Sequence, residues 1–271
     1  MHIAGEPTPY AWPNVNSHFG IMDLTGFWKD RTHWYASWFP NFNEEAKPTD
    51  HVHAFPHWDW KDGDSVDIWS FSNADSVELV VNGKTVSKQS MVQFGHVLWK
   101  GVPFAAGSYT VTGYDKSGTV VGSKTVTTTS KPAALKASIR DGVGALLYAG
   151  CQDMALVQVE ILDGRGNLVS DPDNTDGTNV TFAVSGSATG AWVEGTGNGD
   201  PSCLVNNKSP MRPAYHGLAL GLIGSGDVPG TITVTVTAPG LTSATVDIAV
   251  KTQDTTADDF NPKWCIQEPK W

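Results

Sequence analysis

Apolar and polar residues alternate with a period of two through most of this 271-residue chain, starting near His51. Strands with one buried face show this alternation. It is clearest in residues 66–69 and 77–81, and the second run ends at Asn82-Gly83, the dipeptide most typical of a tight hairpin turn. A second hairpin pattern surrounds residues 115–118. These signals predict a small antiparallel β-sandwich that ends near Ser130.

A second region of alternation follows, after Lys131-Pro132 has interrupted the first. Its apolar positions recur in residues 157–161, 232–236 and 246–250, and Gly and Asn residues occupy the turn at 163–167. The β-branched residues in the runs and the turn residues between them favour the same interpretation. The chain is therefore predicted to be mainly β, with two immunoglobulin-like antiparallel β-sandwiches.

The first 47 residues follow another pattern, and seven aromatic residues lie between Phe27 and Phe42. Five of these rings recur, together with Arg31, at helical spacings, which predicts one short amphipathic helix. Its aromatic face needs a surface to bury against, which is either a partner chain or the sandwich that follows. The residues expected to face a partner protein are Phe27, Trp28, Trp34, Tyr35 and Trp38.

The domain organisation predicted from these patterns has four parts. Residues 1–47 contain the aromatic helix and lead into a polar linker, in which Pro48 stops any helix. Residues 48–130 form the first sandwich, and residues 131–254 form the second. Residues 255–271 are acidic and then aromatic, a pattern that fits a docking tail as well as a frayed end.

Charge and hydropathy exclude two classes of partner. The chain has 18 Lys and Arg against 28 Asp and Glu, a net charge of -10, and no basic run, so no nucleic acid is expected as a partner. No apolar run is long enough to predict a membrane span. The first four residues have neither the basic start nor the apolar stretch of a secretion signal. Cys151, Cys203 and Cys265 fit one disulfide with a free thiol as well as three buried thiols.

Three polar groupings could carry chemistry, and the residues favour a structural interpretation of each. Asn43-Glu44 could offer a catalytic carboxylate, but it lies in the linker, without the rigid and partly desolvated setting that such a group needs. The histidines at 51, 53 and 57 could surround a transition metal, but no further ligand lies near them in the sequence. The acidic loop 171–177 does not follow the ligand order of an EF-hand. No catalytic residue, metal site or cofactor is predicted.

The chain is rich in tryptophan, with 11 residues of this type. Because flat indole rings suit the apolar faces of sugars, a carbohydrate ligand is one interpretation. The other interpretation is that Trp58, Trp60, Trp69 and Trp99 pack at domain interfaces, where aromatic residues are also enriched. Packing is the favoured interpretation.

Three groups of motifs carry a family resemblance. Residues 5–10 (Gly-Glu-Pro-Thr-Pro-Tyr) and 19–30 are similar to the end of the catalytic (β/α)8 barrel in family 2 glycoside hydrolases, the β-galactosidase group. Residues 56–60 and 72–84 resemble the immunoglobulin-like domain that follows this barrel. A third group of motifs, in residues 155–160, 197–201 and 215–219, resembles the next C-terminal sandwich of the same enzymes.

The resemblance implies the C-terminal portion of such an enzyme, in which a short helical remnant of the barrel precedes the two sandwiches. The family cleaves β-linked sugars by the retaining mechanism, with two glutamates that have no counterpart in this chain, so the chain alone is expected to be inactive. Glu6, Tyr10 and Trp12 are expected at the rim of the substrate pocket.

Two functions remain open after this comparison of motifs. The first is a non-catalytic part of a hydrolase, with another protein chain covering the aromatic helix. The alternative is a carbohydrate-binding or structural module in an extracellular or multi-chain assembly. The family resemblance favours an extracellular or secretory location, although no signal peptide is expected in this chain.

Overall fold

The computed structural model describes residues 12–14, 18–39, 51–140, 143–151 and 153–252. Strands dominate these residues, so the mainly β fold class with antiparallel sheets is confirmed. The described residues fall into two compact units. One unit consists of His18–Thr129. The other consists of the described residues from Ser130 onward, together with residues 12–14 from the start of the chain.

The first unit contains helix α1 (Asp30–Trp38) and seven strands. The strands are β1 (Val52–Phe55), β2 (Ser65–Ser72), β3 (Ser76–Val81), β4 (Lys84–Ser90), β5 (Val97–Pro103), β6 (Ser108–Tyr114) and β7 (Val120–Thr127). They form two sheets, in the orders β1-β2-β5 and β4-β3-β6-β7. The predicted hairpin joins β3 to β4, where Asn82 and Gly83 have φ values of 48° and 76°, as its tight turn requires.

Aromatic side chains dominate the core of this first sandwich. Trp58 is fully buried, and its ring meets those of Phe104 and Tyr109 edge to face, with centroids 5.1 Å apart in both pairs. The polar ends of these rings have partners, since the indole nitrogen of Trp58 donates to the carbonyl of Ala105 and the hydroxyl of Tyr109 donates to the carbonyl of Pro56. Burial raises the pKa of Tyr109, so its hydroxyl stays protonated.

The second unit contains nine strands and the short helix α2 (Pro172–Thr175). The strands are β8 (Pro132–Ile139), β9 (Leu146–Tyr148), β10 (Met154–Asp163), β11 (Asn179–Gly186), β12 (Trp192–Gly197), β13 (Met211–Pro213), β14 (Leu218–Gly224), β15 (Gly230–Thr237) and β16 (Ala244–Lys251). They form two sheets, in the orders β12-β14-β10-β8 and β13-β11-β15-β16-β9.

The core of the second sandwich is aliphatic and follows the predicted alternation. Every second residue of β10 from Ala155 to Ile161 is fully buried, and so are Ile232, Val234 and Val236 of β15. The alternate residues of each strand face away from this core, as the pleat of a strand requires. Most of the free energy of burial in this unit therefore comes from aliphatic side chains.

A buried carboxylate closes the turn that follows β10. Asp163 accepts hydrogen bonds from the backbone nitrogens of Arg165 and Asn167, both at 2.9 Å, and from that of Ser130 at 3.0 Å. Burial opposes the charge, but these hydrogen bonds outweigh it and hold the pKa of Asp163 well below its usual range. The predicted turn at 163–167 is therefore fixed by an ionised side chain.

Candidate functional site: the two sides of helix α1

Helix α1 starts three residues later than the aromatic spacing predicted. Phe27 and Trp28 belong to the preceding turn, where Oδ1 of Asp23 accepts hydrogen bonds from the backbone nitrogens of Thr25 at 2.8 Å and Phe27 at 2.9 Å. Gly26 has a φ of 78° in this turn. Side-chain bonds to the backbone compete with helix formation, so the expected helical positions of Phe27 and Trp28 were wrong.

One side of α1 is polar and lies against the first sandwich. Asp30 Oδ1 lies 2.8 Å from Nε2 of His53, and Nδ1 of His33 lies 3.2 Å from Nε2 of His51. The three imidazole rings are stacked, with the His33 centroid 3.6 Å from that of His53 and 5.2 Å from that of His51. Ser37 is buried one turn later and donates to the carbonyl of His33. These contacts attach the helix to β1.

Two of the stacked imidazoles, those of His33 and His51, lie in surroundings that lower their pKa and favour the neutral ring. Burial, then the neighbouring rings of His53 and His51, lowers the pKa of His33 to about 3, and Lys124 of β7 acts in the same direction. Asp30 opposes this shift but does not reverse it. Burial and His53 also lower the pKa of His51. The attachment of α1 through His33 and His51 is therefore strongest where these two rings carry no charge.

The other side of α1 is aromatic and is partly covered by the loop between β4 and β5. The indole nitrogen of Trp34 donates to the carbonyl of Phe94 at 3.1 Å, and the Phe94 ring lies 5.5 Å from the ring of Trp38 and 6.3 Å from that of Phe39. Phe94 and Phe39 remain 53% and 48% exposed. The helix folds back on its own sandwich through Phe94, and an aromatic surface is left facing solvent.

The tryptophan at the end of the helix has an incomplete environment. Nε1 of Trp38 is buried, yet no hydrogen-bond acceptor for it lies in the part of the chain that the structure describes. A buried donor without an acceptor costs about 1–3 kcal/mol.

The remaining predicted site residues lie before α1, except Tyr35, which lies within the helix. Trp12 is 75% exposed and Trp28 is 44% exposed, whereas Phe27 is buried and Tyr35 is half-buried. Glu6 and Tyr10 lie outside the described residues, so the proposed pocket rim stays a prediction. The catalytic alternative at Asn43-Glu44 also lies outside them.

The described residues contain no group of three or more His, Cys, Asp or Glu that could hold a metal ion. His51 and His53 take part in the imidazole stack, and His57 stacks on Trp60 with centroids 4.8 Å apart. In the acidic loop, Asp171 accepts from the backbone nitrogen of Asp173 at 3.1 Å and caps α2. Both groupings are used for local structure.

The four tryptophans expected to pack at domain interfaces divide into two classes. Trp58 and Trp99 are buried in the core of the first sandwich and are closed to any ligand. Trp69 is half-buried, with its ring 4.8 Å from that of His96, and Trp60 is 41% exposed. The first pair therefore packs inside one sandwich and not at a domain interface, and of these four rings only the second pair is accessible.

The sequence patterns did not identify two residues of the site, Phe94 and His33. An aromatic residue before a glycine, in the segment between two strand patterns, was the available signal for Phe94. The signal for His33 was the polar stripe that it forms with Asp30 and Ser37, at helical spacings of three and four. The stripe was overlooked because the aromatic residues dominate this segment.

Two further sequence questions can be answered for the described residues. Cys151 is disulfide-bonded and Cys203 carries a free thiol, which selects the first of the two cysteine interpretations. Among the helices that the structure describes, none has the length and apolar character needed to cross a membrane.

Comparisons with known families match both sandwiches. Residues 145–247 match a family described as glycoside hydrolase family 2 C-terminal domain 5, and residues 63–122 match a domain of unknown function. The chain is 37% identical over 249 residues to a β-galactosidase of Bacteroides ovatus and 28% identical over 203 residues to a β-glucuronidase of Formosa agariphila. These alignments cover 91% and 74% of this chain but 27% and 20% of the two relatives.

A solved structure supports the fold. A β-glycosidase of Bacteroides vulgatus aligns with a TM-score of 0.77 at 23% sequence identity, covering 88% of this chain and 29% of that chain. This chain thus spans less than a third of the length of each of these three relatives. Its resemblance to the C-terminal region of family 2 glycoside hydrolases is confirmed.

Proposed function

We propose that this chain, which carries C-terminal domains of glycoside hydrolase family 2, is a non-catalytic part of a β-galactosidase-like enzyme. In this proposal it supports a retaining hydrolase whose catalytic glutamate pair lies in a barrel outside the two sandwiches. The similarity to the Bacteroides ovatus β-galactosidase over 91% of this chain supports the proposal, since the aligned part is only 27% of that enzyme.

The observation that carries the proposal is the two-sided environment of α1. Its polar side is attached to β1 through Asp30 and His33, whereas its aromatic side is only partly covered by Phe94. Exposed rings next to a buried indole donor without an acceptor are typical of a surface that packs against more protein. We assign this aromatic side to contact with the catalytic barrel.

The described glutamates support a non-catalytic role. A retaining glycosidase needs two carboxyl groups about 5–5.5 Å apart, one of them with a raised pKa. Glu78 accepts a hydrogen bond from the hydroxyl of Tyr114, and Glu160 accepts one from Lys136 at 2.7 Å. Hydrogen bonds from Lys208 and Trp192 lower the pKa of Glu194, the direction opposite to that of a general acid.

A second candidate function is a binding module for carbohydrate. Trp192 favours it, because its ring is 38% exposed, whereas Trp58 and Trp99 are buried. The two functions differ in what the chain does by itself. The module would bind sugars without any catalytic domain, and the supporting role requires one.

A chimera tests the proposed support of a hydrolase. The C-terminal part of the Bacteroides ovatus relative that aligns with this chain is replaced by this chain, and the same relative without that part is the control. We expect the chimera to hydrolyse a chromogenic β-galactoside and the truncated control to lose activity or solubility. The isolated chain, assayed on the same substrate, is expected to give no turnover.

The same preparations separate the two functions. Sugar binding by the isolated chain, together with a folded but inactive chimera, would favour the binding module. An active chimera in which double substitution of Trp34 and Trp38 by Ala lowers barrel stability would support the contact assigned to α1. An active chimera unaffected by that double substitution would remove this contact from the proposal.

A further inference from the structure

A tryptophan at the edge of the second sandwich presents one flat face to solvent. Trp192 is the first residue of the edge strand β12, pairs with Gly224 of β14 and is 38% exposed. A Cβ built on Gly224 would lie 2.4 to 2.6 Å from three adjacent atoms of the six-membered ring. Three nearly equal distances place the face of the ring, and not its edge, over the glycine. The indole therefore lies flat on the sheet, and its opposite face points outward.

A pair of charged groups lies at the edge of this ring. The indole nitrogen of Trp192 donates to Oε2 of Glu194 at 2.8 Å, and the ammonium of Lys208 donates to Oε1 of the same carboxylate. The side chains of Glu194 and Lys208 are 33% and 69% exposed. The ring is thus held by the carboxylate, and both charged groups are accessible to solvent.

A buried arginine fixes the loop that carries Lys208. Arg212 is 2% exposed, and its guanidinium donates to the carbonyl of Thr196 at 2.6 Å, the carbonyl of Val205 at 3.0 Å and the side-chain oxygen of Asn207 at 2.9 Å. These bonds connect β12 to the loop at 205–208. Because a site works best when a second layer of bonds holds its side chains, this anchoring favours a prepared surface over a fortuitous one.

The charges at the ring indicate the chemistry of its ligand. The ammonium of Lys208 disfavours a cation over the ring, and the carboxylate of Glu194 disfavours an anion. Together they offer a hydrogen-bond acceptor and a donor beside an apolar surface, which suits a neutral ring with hydroxyl groups at its edge and C–H groups on its face. We propose that Trp192, Glu194 and Lys208 form a binding platform for a neutral pyranose sugar.

This platform assigns a location to the second candidate function, carbohydrate binding, and the inference rests on that function. It does not depend on the proposed support of a catalytic barrel. Trp60 supplies a comparison. That ring is equally exposed but lies parallel to the imidazole of His57, with an interplanar angle of 9°, and its nitrogen is bonded to the carbonyl of His57. Trp60 is therefore the matched control for an exposed indole without this ion pair.

Titration of the isolated chain with methyl β-galactoside, methyl β-glucoside and lactose tests the platform. The readout is the indole N–H signals in a nitrogen-proton correlation spectrum. We expect the Trp192 signal to shift with saturation at millimolar sugar, and Trp192→Ala to weaken binding by about tenfold or more. Gly224→Ala should also weaken binding, since the new methyl group displaces the ring. Trp60→Ala should bind like the unmodified chain.

Two outcomes would overturn the inference. One is a folded Trp192→Ala variant, checked by circular dichroism, that binds these sugars as tightly as the unmodified chain. The other is no shift of the Trp192 signal with any of the three sugars. If binding is lost in Trp60→Ala and kept in Trp192→Ala, the platform is wrong but the binding module survives. The chimera assay is unaffected by either result.

Discussion

The two sandwiches of this chain are stabilised in different ways. The first has an aromatic core, in which Trp58, Trp99 and Tyr109 are buried. The described core of the second contains one buried aromatic ring, Phe182, among aliphatic side chains, and its buried polar groups include Asp163 and Arg212. Large rings fill the interior of the first unit, whereas buried charges fix the loops of the second. The first unit is therefore expected to be most sensitive to lost volume and the second to lost hydrogen bonds.

The largest expected effect is the loss of an aromatic ring from the first core. Trp58→Ala removes a fully buried side chain and should lower the free energy of unfolding of this unit by about 4 kcal/mol. Urea denaturation followed by circular dichroism measures it. Trp60→Ala is the control, because that ring is 41% exposed, and its cost should stay below about 1 kcal/mol. Equal costs for the two substitutions would contradict an aromatic core built around Trp58.

In the second sandwich, the comparable change removes hydrogen bonds at nearly constant volume. Arg212→Met leaves the buried carbonyl of Thr196 and the part-buried carbonyl of Val205 without this donor and should cost about 3 kcal/mol. Arg165→Met is the control, since that arginine is 59% exposed and reaches Asp163 only at 3.5 Å. Amide exchange should accelerate at residues 198–209 in the first variant. Unchanged exchange there would show that Arg212 does not fix this loop.

The polar side of α1 should respond to acid. A histidine whose pKa is lowered by folding binds fewer protons when the helix is attached than when it is released. The attachment therefore weakens as pH falls from about 6.5, the ordinary value, toward the value of about 3 at His33. Protonation of this one group lowers the equilibrium constant for attachment of the helix by at most about tenfold per pH unit. Amide exchange of residues 30–38 at pH 7 and pH 5 measures the effect.

Substitution of the titrating ring sharpens the same test. His33→Phe retains a flat ring 3.6 Å from His53 and removes the charge, so the exchange of residues 30–38 should vary less with pH. His96→Phe changes a histidine that stacks on Trp69 outside the three-ring stack and should retain the original pH dependence. If both variants respond to pH as the unmodified chain does, His33 does not control the attachment.

Much of this architecture could be predicted from the sequence because strands with one buried face leave a period of two. The hairpin at Asn82-Gly83 and the turn at 163–167 were found in this way. The start of α1 was not, because the carboxylate of Asp23 binds the backbone nitrogens of Thr25 and Phe27, a local competition with the helix that the spacing of aromatic residues does not show. Phe94 was missed for a different reason, since it lies far from the helix in sequence and contacts it only after folding.

The proposed sugar-binding platform is a clearer example of a feature that the sequence does not predict. Eleven tryptophans suggested carbohydrate binding, but composition could not separate buried rings from exposed ones. Trp192 was not singled out, because its role depends on Gly224 beneath it and on Lys208 beside it, neither of which is near it in the sequence. A site formed by strand pairing and loop anchoring is visible only in three dimensions.

The most direct measurement of the central claim is kcat/KM of the chimera with a chromogenic β-galactoside. If this chain is a non-catalytic part of a β-galactosidase-like enzyme, the chimera should reach a value within about tenfold of the unmodified relative, a difference of about 1.4 kcal/mol in the activation free energy. A soluble, folded chimera with no more turnover than the truncated control would contradict the account.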